Sequence, residues 1–347
     1  MKILYAVQAT GNGHISRAIE IIPYLQKQGN LDILVSGSQS DIELPFPIKY
    51  RYKGLSFVFG ENGGINYWKT FLKCNFRQLF KDIAKLNIKQ YDLVISDFEP
   101  ISAWSAKLNN IYSVGLSNQV ATLYPSVPQP KLKDPLGIAV LKWYAPTKIN
   151  YGFHFNKYSS KIIYTPIIRQ TIRDLKPYDG DHYTVYLPAF SEESIVLLFS
   201  DPRFKDLKIE IFAKTYREWS YEDYEKKVFI KIKPIEQKSF IESLESCKGV
   251  LCNAGFGTCS EALFLNKKLL AIPMKAQYEQ RCNAKVLKDI GVTVLKGIEK
   301  KKHISKIFDW INNGNVLPVD YPNNTEEIIN TIFENYYMRL RAVRDFN

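Results

Sequence analysis

Long apolar runs are missing from this sequence. No stretch approaches the ~20 apolar residues that a membrane-spanning helix needs. The first run, Ile3 to Val7, follows a single lysine and is too short for the apolar core of a signal peptide, so it is expected to be a first strand. Cysteine is scarce: five residues, at positions 74, 247, 252, 259 and 282, odd in number and without Cys-x-x-Cys spacing. That pattern argues against both a disulfide framework and a zinc site, and with the absent leader it points to a cytoplasmic protein. Acidic residues are in deficit, 35 against 47 Lys and Arg, for a net charge of +12. Such a balance favours an anionic partner. No nucleic-acid-binding motif is present, so a nucleotide or a membrane surface is expected rather than DNA or RNA.

What is present reads as a soluble α/β protein of two domains. The 347 residues, 46% hydrophobic and 24% charged, are enough for two cores of ordinary size. The stretch Gly249 to Gly291 carries the most chemistry. Val250 to Cys252 reads as a buried strand running into Asn253-Ala254-Gly255-Phe256-Gly257-Thr258. The glycines permit a tight turn with free backbone N–H groups. Thr258 and Glu261 have capping-box spacing, which predicts a helix from about Cys259 to Leu265. Strand, glycine turn and helix N-terminus together make an anion site suited to phosphate oxygens. The polar cluster Gln277, Glu279, Gln280 and Asn283 follows a second apolar run. A diphosphate carrying a polyhydroxylated group would suit both halves of the stretch; an ordinary βαβ unit is the bland reading of the turn alone.

The N-terminal half opens with the same grammar. A strand (Lys2 to Val7), the turn Gln8 to His14, a helix from about Ser16 to Lys27 and a strand (Leu31 to Val35) form a βαβ unit. The turn departs from a dinucleotide fingerprint, because Ser16 replaces the third glycine and no acidic residue ends the second strand; NAD binding is disfavoured. His14 follows strand one, and Asp97 ends the strand Tyr91 to Ser96, so the two could meet over the sheet edge. A carboxylate beside an imidazole sets its tautomer and raises its basicity; the alternative is that Asp97 caps the next helix. Asn118 lies at the end of a strand from Tyr112 to Leu116. Residues 66–87 are predicted to be an amphipathic helix with a basic stripe, Lys69, Lys73, Arg77, Lys81 and Lys85. It packs on the sheet with a solvated side, or it meets an anionic membrane surface. Residues 124–135 and 141–158 are expected to be irregular, and Lys161 to Ile168 a strand. The expected domains are 1–178 and 179–325, with 326–347 a helix crossing back to the first.

Two α/β halves, a histidine after the first strand, and AGFGTCSEAL followed by IPMKAQYEQRCNA make the chain resemble glycosyltransferases of the GT-B fold. It looks closest to the branch of families 28 and 1, which holds the peptidoglycan lipid-intermediate N-acetylglucosaminyltransferase and the UDP-dependent transferases. The resemblance implies two Rossmann-like, doubly wound domains with mainly parallel sheets facing a cleft. It implies diphosphate contacts from Asn253, Gly255, Phe256, Gly257, Thr258 and Ser191, ribose held by Glu261, and uracil near Ile235. Donor-sugar contacts would come from Gln277, Glu279 and Gln280. Gly11, Gly13 and Asn118 would lie on the acceptor side. His14 would be the general base, oriented by Asp97, in an inverting transfer with no metal and no cofactor beyond the UDP-sugar. The chain departs from the plant-type members at Asn253, where they have His, at Phe256-Gly257, where they have Trp-Asn, and at Glu279, where they have Asp. The expected function is transfer of a hexose or N-acetylhexosamine to a hydroxyl of a lipid-linked or glycan acceptor, with peripheral attachment to the cell membrane as a further expectation. A UDP-N-acetylglucosamine 2-epimerase-type enzyme and a non-catalytic nucleotide-sugar-binding protein are the alternatives.

Overall fold

The computed structural model describes residues 1–37, 43–54, 75–158, 160–213, 220–223 and 228–345. The first half builds a seven-stranded, all-parallel sheet from β1 (Lys2–Gln8), β2 (Asn30–Ser36), β3 (Tyr50–Tyr52), β4 (Leu93–Asp97), β5 (Ser113–Ser117), β6 (Ile149–Phe153) and β7 (Ile163–Tyr164). Its order is β3-β2-β1-β4-β5-β6-β7. The second half builds another from β8 (His182–Tyr186), β9 (Lys208–Ala213), β10 (Ser220–Asp223), β11 (Val228–Pro234), β12 (Gly249–Asn253), β13 (Lys268–Ile272) and β14 (Thr293–Val294), in the order β10-β11-β9-β8-β12-β13-β14. Only the edge strand β10 runs antiparallel. Central strands are apolar along their length because helices cover both faces: every residue of β4, β5 and β12 is buried.

Strand order reverses between β1 and β4 in the first sheet and between β8 and β12 in the second. Chains leaving the carboxyl ends of such neighbours diverge to opposite faces and leave a crevice, where open α/β sheets bind ligands. Register places Asp97 beside Val7 at one crevice and Cys252 beside Tyr186 at the other. Helix α1 (Asn12–Gln28) follows β1. The last helix, Thr325–Asp345, returns to the first half: Asn335 Nδ2 donates to Tyr151 OH at 2.7 Å and Tyr336 OH to the Asp92 carbonyl at 3.2 Å. One apolar core is continuous across both halves, with Phe256 of the second against Phe155 of the first at 5.0 Å between ring centroids.

Three expectations need correction. The helix after β1 starts at Asn12, not Ser16, which puts His14 inside its first turn. Part of 141–158 is regular: the helix Pro135–Trp143 ends there, and β6 is an interior strand. The run from Lys161 to Ile168 forms only the two-residue edge strand β7. Of the expected 66–87 helix, residues 66–74 lie outside the described residues, and α2 spans Phe76–Lys85. Asp82 and Ile83 are buried, whereas Phe76, Phe80, Arg77, Lys81 and Lys85 are exposed together.

Candidate active site

The catalytic residues expected from the first half converge. Gly11, extended, precedes α1, and His14 and Arg17 share a face of that helix at i, i+3. Asp97, the last residue of β4, is fully buried and accepts from His14 Nδ1 at 2.8 Å, from Arg17 Nε at 3.1 Å and from Arg17 Nη2 at 2.5 Å. It does not cap the next helix, α3 (Pro100–Leu108). Glu99 does that, accepting from the Ile101 and Ser102 N–H groups at 2.9 and 2.6 Å. Burial alone would raise the Asp97 pKa, but the Arg17 charge, with His14 beside it, outweighs burial and holds the carboxyl below its ordinary value.

The ring continues across the cleft. Arg17 Nη1 donates to Asn118 Oδ1 at 3.3 Å, and Asn118 Nδ2 donates to Glu279 Oε1 at 2.7 Å. Gln119 Nε2 stands 3.1 Å from Glu279 Oε2 and 3.2 Å from His14 Nε2. Asn118 and Gln119 open the short helix α4 (Asn118–Ala121) directly after β5, and Glu279 lies in the first turn of α10 (Tyr278–Asp289). Asp97 and Gln119 agree on the His14 tautomer, whereas Arg17 Nη2, which stands 3.0 Å from Nδ1 and can only donate, favours the other. Asp97 needs a proton on Nδ1, and the Gln119 amide needs a lone pair on Nε2. The nitrogen that would take a proton from substrate therefore faces the cleft.

The opposite side of the cleft is built on α9 (Phe256–Phe264), which starts at Phe256, before the expected position. Thr258 is consequently in the first helical turn and is not an N-cap; Gly255 occupies that place without a side-chain bond, so the Thr258–Glu261 capping box does not form. The earlier start leaves the N–H groups of residues 256–258 as the helix's free donors. The N-terminus of α1 faces them: a Cβ built on Gly257 would come to 3.9 Å from the Gly13 Cα. Two helix N-termini thus border one space, which favours anionic oxygens there.

Two adjoining cavities share this border. One, of about 480 Å³, is lined by Gly11, Gly13, His14, Asn118, Gln119 and, from the other half, Asn253, Gly255, Gly257, Gln277, Glu279 and Gln280 among others. The second, of about 280 Å³, is lined by Ile235, Phe240, Phe256, Thr258, Glu261 and Arg169, among others. In it Glu261 is clamped by Arg169, with Nε and Nη2 at 2.6 and 2.8 Å from its two oxygens. A carboxylate has further lone pairs, so hydroxyls can still be accepted beside the guanidinium. Ser191 lines neither cavity; its hydroxyl caps α7 (Glu192–Phe199) by accepting from Ser194 N at 3.3 Å. The Asn253 amide is committed to backbone, accepting from Ala189 N at 3.3 Å and donating to the Ile272 carbonyl at 2.9 Å. Gln280 accepts from Met274 N at 2.9 Å. The expectations missed Arg17, Gln119 and Arg169. Gln119 stands beside Asn118 at the end of the same strand and was legible there; Arg17 was hidden by the later helix start that was expected, and Arg169 had no local signal.

Two mainly parallel Rossmann-like sheets whose switch points face each other make this the GT-B fold. The chain belongs to glycosyl transferase family 1, whose family model matches residues 1–310, and it is a glycosyltransferase. No curated protein matches the sequence. Solved structures share the fold at low identity. MurG from Acinetobacter baumannii is 15% identical with a TM-score of 0.57, over 96% of this chain and 99% of that one. MnaA from S. aureus, solved with UDP, is 13% identical with a TM-score of 0.60, over 98% and 97%. UGT2 from Phytolacca americana, solved with UDP-2fluoro-glucose and pterostilbene, is 12% identical with a TM-score of 0.57, over 95% and 93%.

Proposed function

We propose that this protein transfers a hexose or N-acetylhexosamine from a UDP-sugar to an acceptor hydroxyl, with inversion at the anomeric carbon. The observation that carries the reading is His14, held at Nδ1 by Asp97, lining a cavity bordered by the N-terminus of α9. His14 takes the proton of the acceptor hydroxyl while that oxygen bonds to the anomeric carbon. The bond from that carbon to the diphosphate oxygen breaks, and its electron pair leaves with UDP. Charge developing on the diphosphate is met by the N-termini of α9 and α1, so the reading requires no metal ion. Glu261 holds the ribose, the segment at Ile235 the uracil, and Glu279 with Gln277 and Gln280 the sugar. The neighbour solved with UDP-2fluoro-glucose supports a uridine donor for this fold. The exposed Phe76 and Phe80 beside Arg77, Lys81 and Lys85 support an acceptor presented at an anionic lipid surface.

The test is His14→Ala. A histidine base contributes roughly 10²–10⁴-fold, so turnover of a UDP-sugar, followed as UDP release with an acceptor panel, should fall by that factor. UDP affinity by calorimetry should stay within about twofold, because His14 contacts no part of the nucleotide in this reading. Normal turnover in the variant would remove His14 from the base role. An epimerised sugar in place of UDP release would identify the epimerase alternative instead.

A further inference from the structure

Glu279, the residue read as a sugar ligand, already has partners from the opposite half. Its carboxylate accepts from Asn118 at 2.7 Å and Gln119 at 3.1 Å, and Asn283 Nδ2 stands at 3.5 Å. Gln119 spends both amide hydrogens at once, on Glu279 and on His14 Nε2, so one nitrogen atom spans the gap between the base and the carboxylate. A sugar contacting Glu279 and an acceptor hydroxyl contacting His14 both have to enter that gap. The bridge and the substrates cannot occupy it together.

A second observation shows which kind of ligand the gap awaits. Three amide oxygens around Glu279 are buried with no hydrogen-bond partner among the described residues: Gln119 Oε1, Gln277 Oε1 and Asn283 Oδ1. Buried acceptors left unpaired are destabilising. Each lacks a donor, and the carboxylate next to them is itself acceptor-only. A sugar carrying several hydroxyls, or an acetamido N–H, supplies those hydrogens. UDP without its sugar brings only acceptor oxygens here, because its ribose hydroxyls belong to Glu261 in the other cavity in the reading above.

We propose that Asn118 and Gln119 form a latch that competes with the donor sugar for Glu279, and that Gln119 caps the His14 lone pair until the sugar displaces it. This rests on the UDP-sugar reading above. In the donor-free protein the latch ties the two halves together and keeps the base occupied. Sugar hydroxyls replace the two amides on Glu279, Gln119 withdraws, and His14 Nε2 becomes open to the acceptor. UDP alone leaves the latch closed, because nothing in it reaches Glu279.

The test separates the sugar from the nucleotide. Binding of UDP, UDP-glucose and UDP-N-acetylglucosamine is measured by calorimetry for the wild type, Gln119→Ala and Asn118→Ala. Removing a competing hydrogen bond to a charged group should tighten binding of the UDP-sugar that the wild type accepts by about three- to tenfold. UDP binding should change by less than about twofold, which also reports that each variant is folded. Asn118 does not touch His14, so Asn118→Ala decides the latch even where Gln119→Ala fails to fold. UDP-sugar binding that is unchanged or weakened while UDP binding holds would overturn the latch and make these side chains direct sugar contacts. A wild type that binds no uridine nucleotide at all would bring down the functional reading, and the latch with it, before any variant is compared.

Discussion

Arg17→Leu is the most demanding perturbation of this site. Arg17 supplies two of the three side-chain hydrogen bonds on Asp97, which has no solvent contact. Taking one partner from a buried ion pair leaves an uncompensated charge and costs about 3–5 kcal/mol. The stability loss should also depend on pH, through Asp97, whose carboxyl Arg17 does most to keep ionised. Its folded pKa is lowered, so the stability it contributes is full above the ordinary carboxylate value of ~3.9 and is lost only as pH falls through the folded value. Urea unfolding of wild type and variant at about pH 7 and about pH 3 gives the two differences, and the loss should be full at the higher pH and smaller at the lower. A loss below about 1 kcal/mol at the higher pH, or equal losses at both, would refute the claim that the guanidinium neutralises Asp97.

Three further outcomes are expected. His154 is buried among the rings of Phe155, Tyr158 and Phe256, and burial pushes its pKa down to about 3. Its neutral form thus contributes stability that is full above ~6.5 and declines by about 1.4 kcal/mol per pH unit below that, so His154→Leu should flatten the stability profile by about 2 kcal/mol between pH 6.5 and 5; parallel profiles would rule this out. Glu261→Gln removes the carboxylate from the Arg169 clamp and from the ribose, so UDP affinity by calorimetry should fall roughly tenfold, with a loss of stability as well. Unchanged UDP affinity in a folded variant would take the ribose away from Glu261. The exposed face of α2 should bind anionic vesicles more than neutral ones in a sedimentation assay, less so after Phe80→Ser and Lys81→Glu. Equal, weak binding to both vesicle types would leave that helix as a solvated surface.

Much of the site was legible because its parts end strands or closely follow them. His14 and Asp97 each follow an apolar run, and runs that alternate with helical patterns predict a parallel sheet whose carboxyl ends meet. Arg17 escaped notice because the helix was expected to begin at Ser16; starting at Asn12, it sets Arg17 one turn from His14. Thr258 and Glu261 have the spacing of a capping box, yet helix formation begins as soon as the chain leaves the extended Gly255, so the pattern stands inside the helix instead of at its edge. Residues 141–158 looked irregular from their aromatic and basic composition, although β6 is interior; its burial comes from β5, β7 and the helices around it, none of which marks the segment itself.

Periodicity and turn chemistry, acting over a few residues, were enough to determine two α/β halves, a glycine-bounded helix N-terminus in the second and a histidine shortly after the first strand. The pairings that make those parts one site were decided only by tertiary structure. Asn118 and Gln119 reach Glu279 from 161 and 160 residues away, and Arg169 reaches Glu261 from 92. These contacts depend on how two separately wound sheets are set against each other by the shared core around Phe155 and Phe256 and by the returning last helix. No local pattern encodes that placement. Carboxylates that the sequence offers as free ligands are therefore, in the folded protein, already held by the opposite half.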